Sequence, residues 1–192
     1  VNKFFMKKPI LMLVSVLLSV FLIGCSKTDP VASVKGSTLD IDKSVTIGNA
    51  FDNYKYFKSV SWQASEDDQK RQLVTVKGEY DLNKCAGLSY SVAGLESLEL
   101  TPEKIAKALQ ANPGLEYSFV VQFKLAVDGN SFEVGFSGLQ VSQTVDGKPN
   151  ETDIPDDNNQ GLQAIYHNEP SGKVVNALGL LGDGTISGTS SQ

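Results

Sequence analysis

The longest apolar stretch in the chain runs from Ile10 to Ile23, carries no charge, and follows Lys3, Lys7 and Lys8. A helix needs about 20 apolar residues to cross a bilayer core. This run is shorter, and its basic, apolar, small-residue order, ending at Gly24-Cys25, is that of an export signal. From Ser26 to Ser37 the residues are small and polar without sustained periodicity, which predicts a tether. At about 3.5 Å per residue it reaches at most about 40 Å.

Regular patterns begin after Ser37. Ile47, Ala50, Phe51 and Tyr54 fall at i, i+3, i+4 and i+7, one face of a first helix, with Ser44 or Thr46 as its amino-terminal cap. Val60, Trp62 and Ala64 then alternate with Ser61, Gln63 and Ser65, and Val74, Val76 and Tyr80 alternate with Thr75, Lys77, Glu79 and Asp81. These are two strands joined across the polar Glu66–Arg71 as a hairpin with one wet face. Thr101, Pro102 and Glu103 open a second helix with Ile105, Ala108 and Leu109 on one side, and Asn112-Pro113-Gly114 stops it.

The clearest strand follows, with Tyr117, Phe119, Val121, Phe123, Leu125 and Val127 on one face and Ser118, Gln122, Lys124 and Asp128 on the other. Asp128-Gly129-Asn130 turns it back onto Phe132, Val134 and Phe136. The apolar positions then change parity to Leu139, Val141 and Val145, which predicts a β-bulge at Ser137-Gly138. After a turn at Asp146–Pro149, Glu151–Gly161 reads as a polar loop and Leu162–His167 as a last or edge strand, while Val174, Val175, Leu178 and Leu181 fit a short helix or a strand equally. The fold class is α+β: an antiparallel sheet with two main helices packed on one face. The order helix, hairpin, helix, long hairpin suggests two similar α-β-β units without a residue-level repeat. The organisation is a signal peptide over 1–24, a tether over 25–37, one domain over 38–181 and a loose tail over 182–192.

Composition narrows the chemistry. The 192 residues are 41% hydrophobic and 20% charged, as in an ordinary globular domain. With a formal charge of -5 and no basic run beyond Lys7-Lys8, there is no electrostatic footprint for nucleic acid. Two cysteines and one histidine can build neither a disulfide scaffold nor a thiolate or imidazole zinc site. No cofactor or metal is expected.

Leu22-Ile23-Gly24-Cys25 resembles the lipobox of bacterial lipoproteins. The resemblance implies cleavage before Cys25, acylation of that cysteine and its new amine, and a stable membrane anchor, since two or more chains hold where one does not. Ser26, which is not Asp, resembles the sorting pattern of Gram-negative lipoproteins that implies the outer membrane, facing the periplasm; in a Gram-positive host the same anchor implies the cell surface. Loss of Lys3, Lys7 and Lys8 makes the mature side chains three units more acidic than the full sequence. Met6-Lys7-Lys8-Pro9 would open a compact signal by itself, so the expected start is either Met6, with Val1–Phe5 an upstream extension, or Val1. Cys85, with Cys25 acylated, has no partner within the chain and is read as a small buried hydrophobe.

The segment Val45–Trp62 resembles one that recurs in small, uncharacterised bacterial envelope lipoproteins, a resemblance that implies no activity. Within it Tyr54, Tyr56, Phe57 and Trp62 crowd a helix-to-strand junction. They either pack a core or form a partly exposed patch for an envelope protein or glycan partner. Asp156–Gly161 imitates the start of a calcium loop, but Gln160 and His167 stand where ligands are required, leaving a solvated turn. His167 near Glu169 and Ser171 lacks the surrounding motifs of a hydrolase triad, and Gly179–Gly184 lacks the strand and helix of a phosphate cradle. The expected function is therefore non-enzymatic: a lipid-anchored binding, assembly or inhibitory factor of the envelope. The alternatives are a lipid-anchored hydrolase of cell-wall or glycan material using two carboxylates, or a hydrophobic-ligand carrier, which requires a cavity between helices and sheet.

Overall fold

The computed structural model describes residues 29–90, 97–127, 131–145 and 147–183. The predicted signal, Cys25, the Asp128–Asn130 turn and the end of the tail lie outside these residues. The elements in chain order are α1 (Pro30–Gly36), β1 (Thr38–Leu39), β2 (Asp42–Thr46), α2 (Ile47–Asp52), β3 (Phe57–Glu66), β4 (Gln72–Tyr80), a 3-10 turn (Leu82–Cys85), β5 (Ser89–Tyr90) and β6 (Leu98–Glu99). They continue as α3 (Pro102–Ala111), β7 (Glu116–Leu125), β8 (Phe132–Val145), β9 (Lys148–Pro155), α4 (Gln160–His167) and α5 (Gly172–Asp183).

The main sheet is antiparallel throughout, in the order β3-β4-β7-β8-β9. The pairs Trp62↔Val76↔Val121 and Phe119↔Leu139 set the register that puts the predicted apolar alternation on a single face. Val34, Ile47, Phe51, Ile105, Leu162 and Leu178, from all five α-helices among the described residues, join that face in one buried cluster. The helices therefore cover one side of the sheet. The other side carries Ser61, Gln63, Thr75, Lys77, Gln122 and Gln140, opposite in parity to the core residues. Successive α-β-β units, α2-β3-β4 and α3-β7-β8, supply four of the five strands.

Local signals act as expected where the residues carry them. Thr46 caps α2 through Asn49 N–H at 3.2 Å, and Thr101 caps α3 through Lys104 N–H at 3.3 Å, with Pro102 in the first turn.

Several expectations are corrected. Residues 30–36, expected in the tether, are helical: Asp29 Oδ1 accepts from Val31 N–H at 3.0 Å, Pro30 starts the helix, and Val34 is fully buried. The bulge lies at Gly135 rather than at Ser137-Gly138, because Gln122 pairs with Phe136 while Phe123 pairs with Val134. A side chain at 135 would collide with that of Lys124, so the extra residue falls where no Cβ exists. Lys148–Pro155 is the edge strand β9, although its composition reads as a loop. All eight of its residues are exposed, and an edge tolerates prolines whose missing N–H would point outward. Leu162–His167 belongs to helix α4, with Leu162, Ile165 and Tyr166 buried at helical spacing. Val127, expected in the core face, is fully exposed beyond the end of β7, and Ser118, expected on the wet face, is buried. Residues 182 and 183, expected in the tail, complete α5.

Candidate functional site

Helix α5 buries Val174, Val175, Leu178 and Leu181 and leaves Lys173, Asn176, Ala177 and Leu180, again at i, i+3, i+4 and i+7, on a second stripe. Two glycines fix its position. A Cβ at Gly179 would lie 2.3 Å from the ring of Tyr90, and one at Gly182 would lie 2.7 Å from the carbonyl oxygen of Lys104. Glycine at both places lets α5 close directly onto β5 and α3. Tyr90 Oη donates to Asp183, and Lys104 Nζ reaches Tyr90 Oη at 2.8 Å and Asp183 at 3.2 Å, which pins the end of α5. The hydrogen bond from Tyr90 is the largest cause holding the Asp183 carboxyl below its ordinary range.

Seated toward α3, α5 leaves the β8–β9 side of the sheet uncovered. The result is a groove of about 520 Å³ between the second stripe of α5 and the core-face residues Tyr117, Leu139, Val141, Thr152 and Ile154. Ile154 is 41% exposed, so the groove is open along β9. Its volume and mainly apolar walls with a few polar groups are those of a ligand site. Among the described residues Lys173 is the one charged side chain on it, and no carboxylate lines it.

Lys173 Nζ donates to the Pro155 carbonyl at 3.2 Å and lies 3.8 Å from Asp156 Oδ1. Asp156 Oδ2 in turn accepts from the N–H groups of Gly161 at 2.9 Å and Leu162 at 3.2 Å. Asp156 is thus a buried carboxylate that caps α4 and ties it to α5, not part of a solvated turn.

Tyr54, Tyr56 and Phe57 are buried, so they do not form an exposed patch for a partner. Their rings pack with Tyr80: Tyr54–Phe57 centroids are 4.6 Å apart and Phe57–Tyr80 centroids 5.0 Å. Gly78 makes room for them, since a Cβ there would fall 2.1 Å from the Phe57 ring. Trp62 is half-buried, donates from Nε1 to Asp52 at 3.0 Å and lies under Lys35 Nζ at 5.0 Å. Cys85 is buried, and burial, with Asp81 second, pushes its thiol up to about 11, the condition of an inert thiol. His167 is exposed at the end of α4 and Ser171 is buried, with no hydrogen bond between them among the described residues. Gly179 and Gly182 serve helix packing, inside α5.

A shallower depression of about 250 Å³ holds Lys58, Asp81 and Glu116. Beside it, burial raises the Glu79 carboxyl, but hydrogen bonds from Lys58 and Ser59 outweigh this and hold it below its ordinary range. A carboxylate so placed gives up its proton readily, the opposite of a general acid. Among the described residues no group of three or more His, Cys, Asp or Glu could hold a metal ion, and no helix is long and apolar enough to cross a membrane.

The groove escaped the sequence reading because it depends on where α5 sits. A usable signal was present: Gly179 and Gly182, one turn apart, in a segment apolar on two helical stripes.

No protein-family model matches the chain, and comparison with curated proteins and with solved structures finds no match. Fold and site therefore define a class by geometry: an α+β domain with a five-stranded antiparallel sheet, helices on one face, and an open apolar groove beside one edge strand.

Proposed function

We propose that this protein is a non-enzymatic binding protein of the bacterial cell envelope, held to a membrane by lipid on Cys25, that takes its partner in the groove between α5 and β7–β9. The observation carrying this reading is the groove: large, apolar, open on one side, and furnished, among the described residues, with Lys173 but no carboxylate. A hydrolase using two carboxylates draws no support from that lining, because protonation of a leaving group needs an acid with a raised pKa facing a second carboxylate. A carrier that encloses a lipid is less suited than a surface binder, because Ile154 leaves one wall open to water.

The Cys25 anchor bears on how the groove is presented. Only four peptide links separate Cys25 from the Asp29 cap of α1, a span of at most about 14 Å. Pro30 lies by the β3–β4 hairpin, against Ala64, Glu66 and Gln72. Tyr117, Val141 and Gln143 are at the opposite end of the strands, so the groove points away from the anchored end. The test is site-specific photocrosslinking of the lipidated protein in its native envelope, with the reactive group at Leu180 or, as control, at Gln63 on the polar sheet face. A discrete adduct from Leu180 and none from Gln63 is expected. Equal labelling from both positions would overturn the reading.

A further inference from the structure

The partner's chemistry can be taken further, resting on the groove as binding site. One wall of the groove is β9, whose outer edge meets no other strand among the described residues. Asp156 N–H donates to the Ser137 carbonyl at 2.9 Å, and the β8–β9 register continues without a break to Val145↔Lys148. Antiparallel alternation then turns the main-chain groups of Ile154, Thr152 and Asn150 toward β8, and those of Glu151 and Asp153 toward the free edge. Pro149 and Pro155 bracket this stretch. Neither has an N–H, and the Pro155 carbonyl is occupied by Lys173. What remains is a window of two residues with two donors and two acceptors facing outward.

Side chains in the window divide by face. Thr152 and Ile154 line the groove. Glu151 and Asp153 lie on the opposite, polar face, where Ser142 Oγ meets Glu151 at 3.4 Å and Gln140 Nε2 donates to Asp153 at 3.1 Å. An added strand would repeat the same alternation. Its residues opposite Glu151 and Asp153 would face two carboxylates, and those between them would face Thr152, Ile154 and the Ala177–Leu180 stripe of α5. Cross-strand neighbours favour opposite charge and penalise like charge. A second copy pairing through β9 would set Glu151 against Asp153, and residues 184–192 of this chain contain no Lys or Arg, so neither meets the requirement.

We infer that the groove and the β9 edge together bind an extended peptide segment of a partner protein, added antiparallel to β9, with basic residues at the positions facing Glu151 and Asp153 and apolar residues between them. Main-chain bonds give such an addition its affinity, and the alternating pockets give it selectivity.

The experiment uses fluorescein-labelled Val-Lys-Val-Lys-Val amide as probe, read by anisotropy on the folded protein. Val-Glu-Val-Glu-Val and the shuffled Lys-Lys-Val-Val-Val serve as controls. The alternating basic peptide should bind at least tenfold more tightly than either control. Asp153→Pro removes an outward N–H without touching the β8 ladder and should abolish binding, while Asp153→Asn keeps the donor and should weaken binding only severalfold. Glu151→Lys with Asp153→Lys should reverse the preference toward the acidic peptide. Equal binding of the three peptides, unchanged binding by Asp153→Pro, or no reversal on charge exchange would overturn the inference. The same samples are titrated with N-phenyl-1-naphthylamine, an apolar dye, with Leu180→Glu alongside. Dye binding that Leu180→Glu abolishes, with no peptide binding, sinks the peptide inference and leaves the groove standing. Dye binding indifferent to Leu180→Glu sinks both.

Discussion

Gly179→Ala tests the packing that creates the groove. A methyl group at 179 would sit 2.3, 2.4 and 2.5 Å from three atoms of the Tyr90 ring, whereas ordinary contact begins at 3.4 Å. The ring cannot swing aside, because Tyr90 is 1% exposed and its hydroxyl is held by Lys104 and Asp183. Helix α5 must therefore shift by about 1 Å or more. Overpacking of this kind costs about 1–3 kcal/mol, and replacing Gly by Ala inside a helix returns about 0.5–1 kcal/mol. The net expectation is a loss of about 0–2.5 kcal/mol, or a fall of about 0–1.2 M in urea midpoint at a slope of about 2 kcal/mol per M. Gly172→Ala is the control. Nothing lies within 4 Å of a Cβ there, so only the entropy of the unfolded chain changes and stability should rise by about 0.5 kcal/mol. Urea unfolding followed by the fluorescence of Trp62 measures both. A Gly179→Ala protein stabilised as much as Gly172→Ala would refute the close approach of α5 to Tyr90 and with it the explanation of the groove.

Further outcomes follow from single groups. The Asp183 carboxyl has a depressed pKa in the folded state, so its contribution is complete above the ordinary carboxylate pKa of about 4 and fades as pH falls through the folded value; wild type should therefore lose more stability than Asp183→Asn on acidification from pH 6 to 2, and parallel acid curves would contradict this. Cys85, with its thiol pushed up to about 11, should resist a disulfide reagent at pH 8 in the native protein and react fully in urea, whereas rapid native labelling would show it accessible. Cys25→Ser should abolish incorporation of labelled fatty acid into the protein, and unchanged labelling would remove the lipid-anchor reading.

How much of this was legible in the sequence depended on how far each feature relies on neighbours in the chain. Helices α2 and α3 were readable because Thr46, Thr101 and Pro102 act within one turn of themselves. The core faces of β4 and β7 were readable from alternation alone, and so was the α+β class. Strand β9 was not, because an edge strand exposed at every residue has no apolar face to betray it. Helix α4 reads as a strand from its six residues, since the apolar Leu162, Ala164, Ile165 and Tyr166 satisfy both periods and its cap, Asp156, acts from outside the usual capping position. Helix α1 could have been recognised from Asp29-Pro30, a cap and first-turn pair hidden in a polar segment. The aromatic residues Tyr54, Tyr56 and Phe57 do lie at a helix-to-strand junction, with Trp62 farther along β3, but the room for the Phe57 ring rests on Gly78, twenty-one residues beyond it. The groove needed the tertiary position of α5, which no periodicity reports.

The most direct test of the groove as the binding site is titration of the folded protein with N-phenyl-1-naphthylamine, comparing wild type with Leu180→Glu. Leu180 is half-buried on the groove stripe and lies outside the buried core, so the variant should unfold at the same urea concentration as wild type within about 0.5 M. Saturable dye fluorescence in wild type, reduced at least tenfold by Leu180→Glu, is the predicted result. Equal dye binding by the two equally stable proteins would place any apolar binding elsewhere and contradict the account.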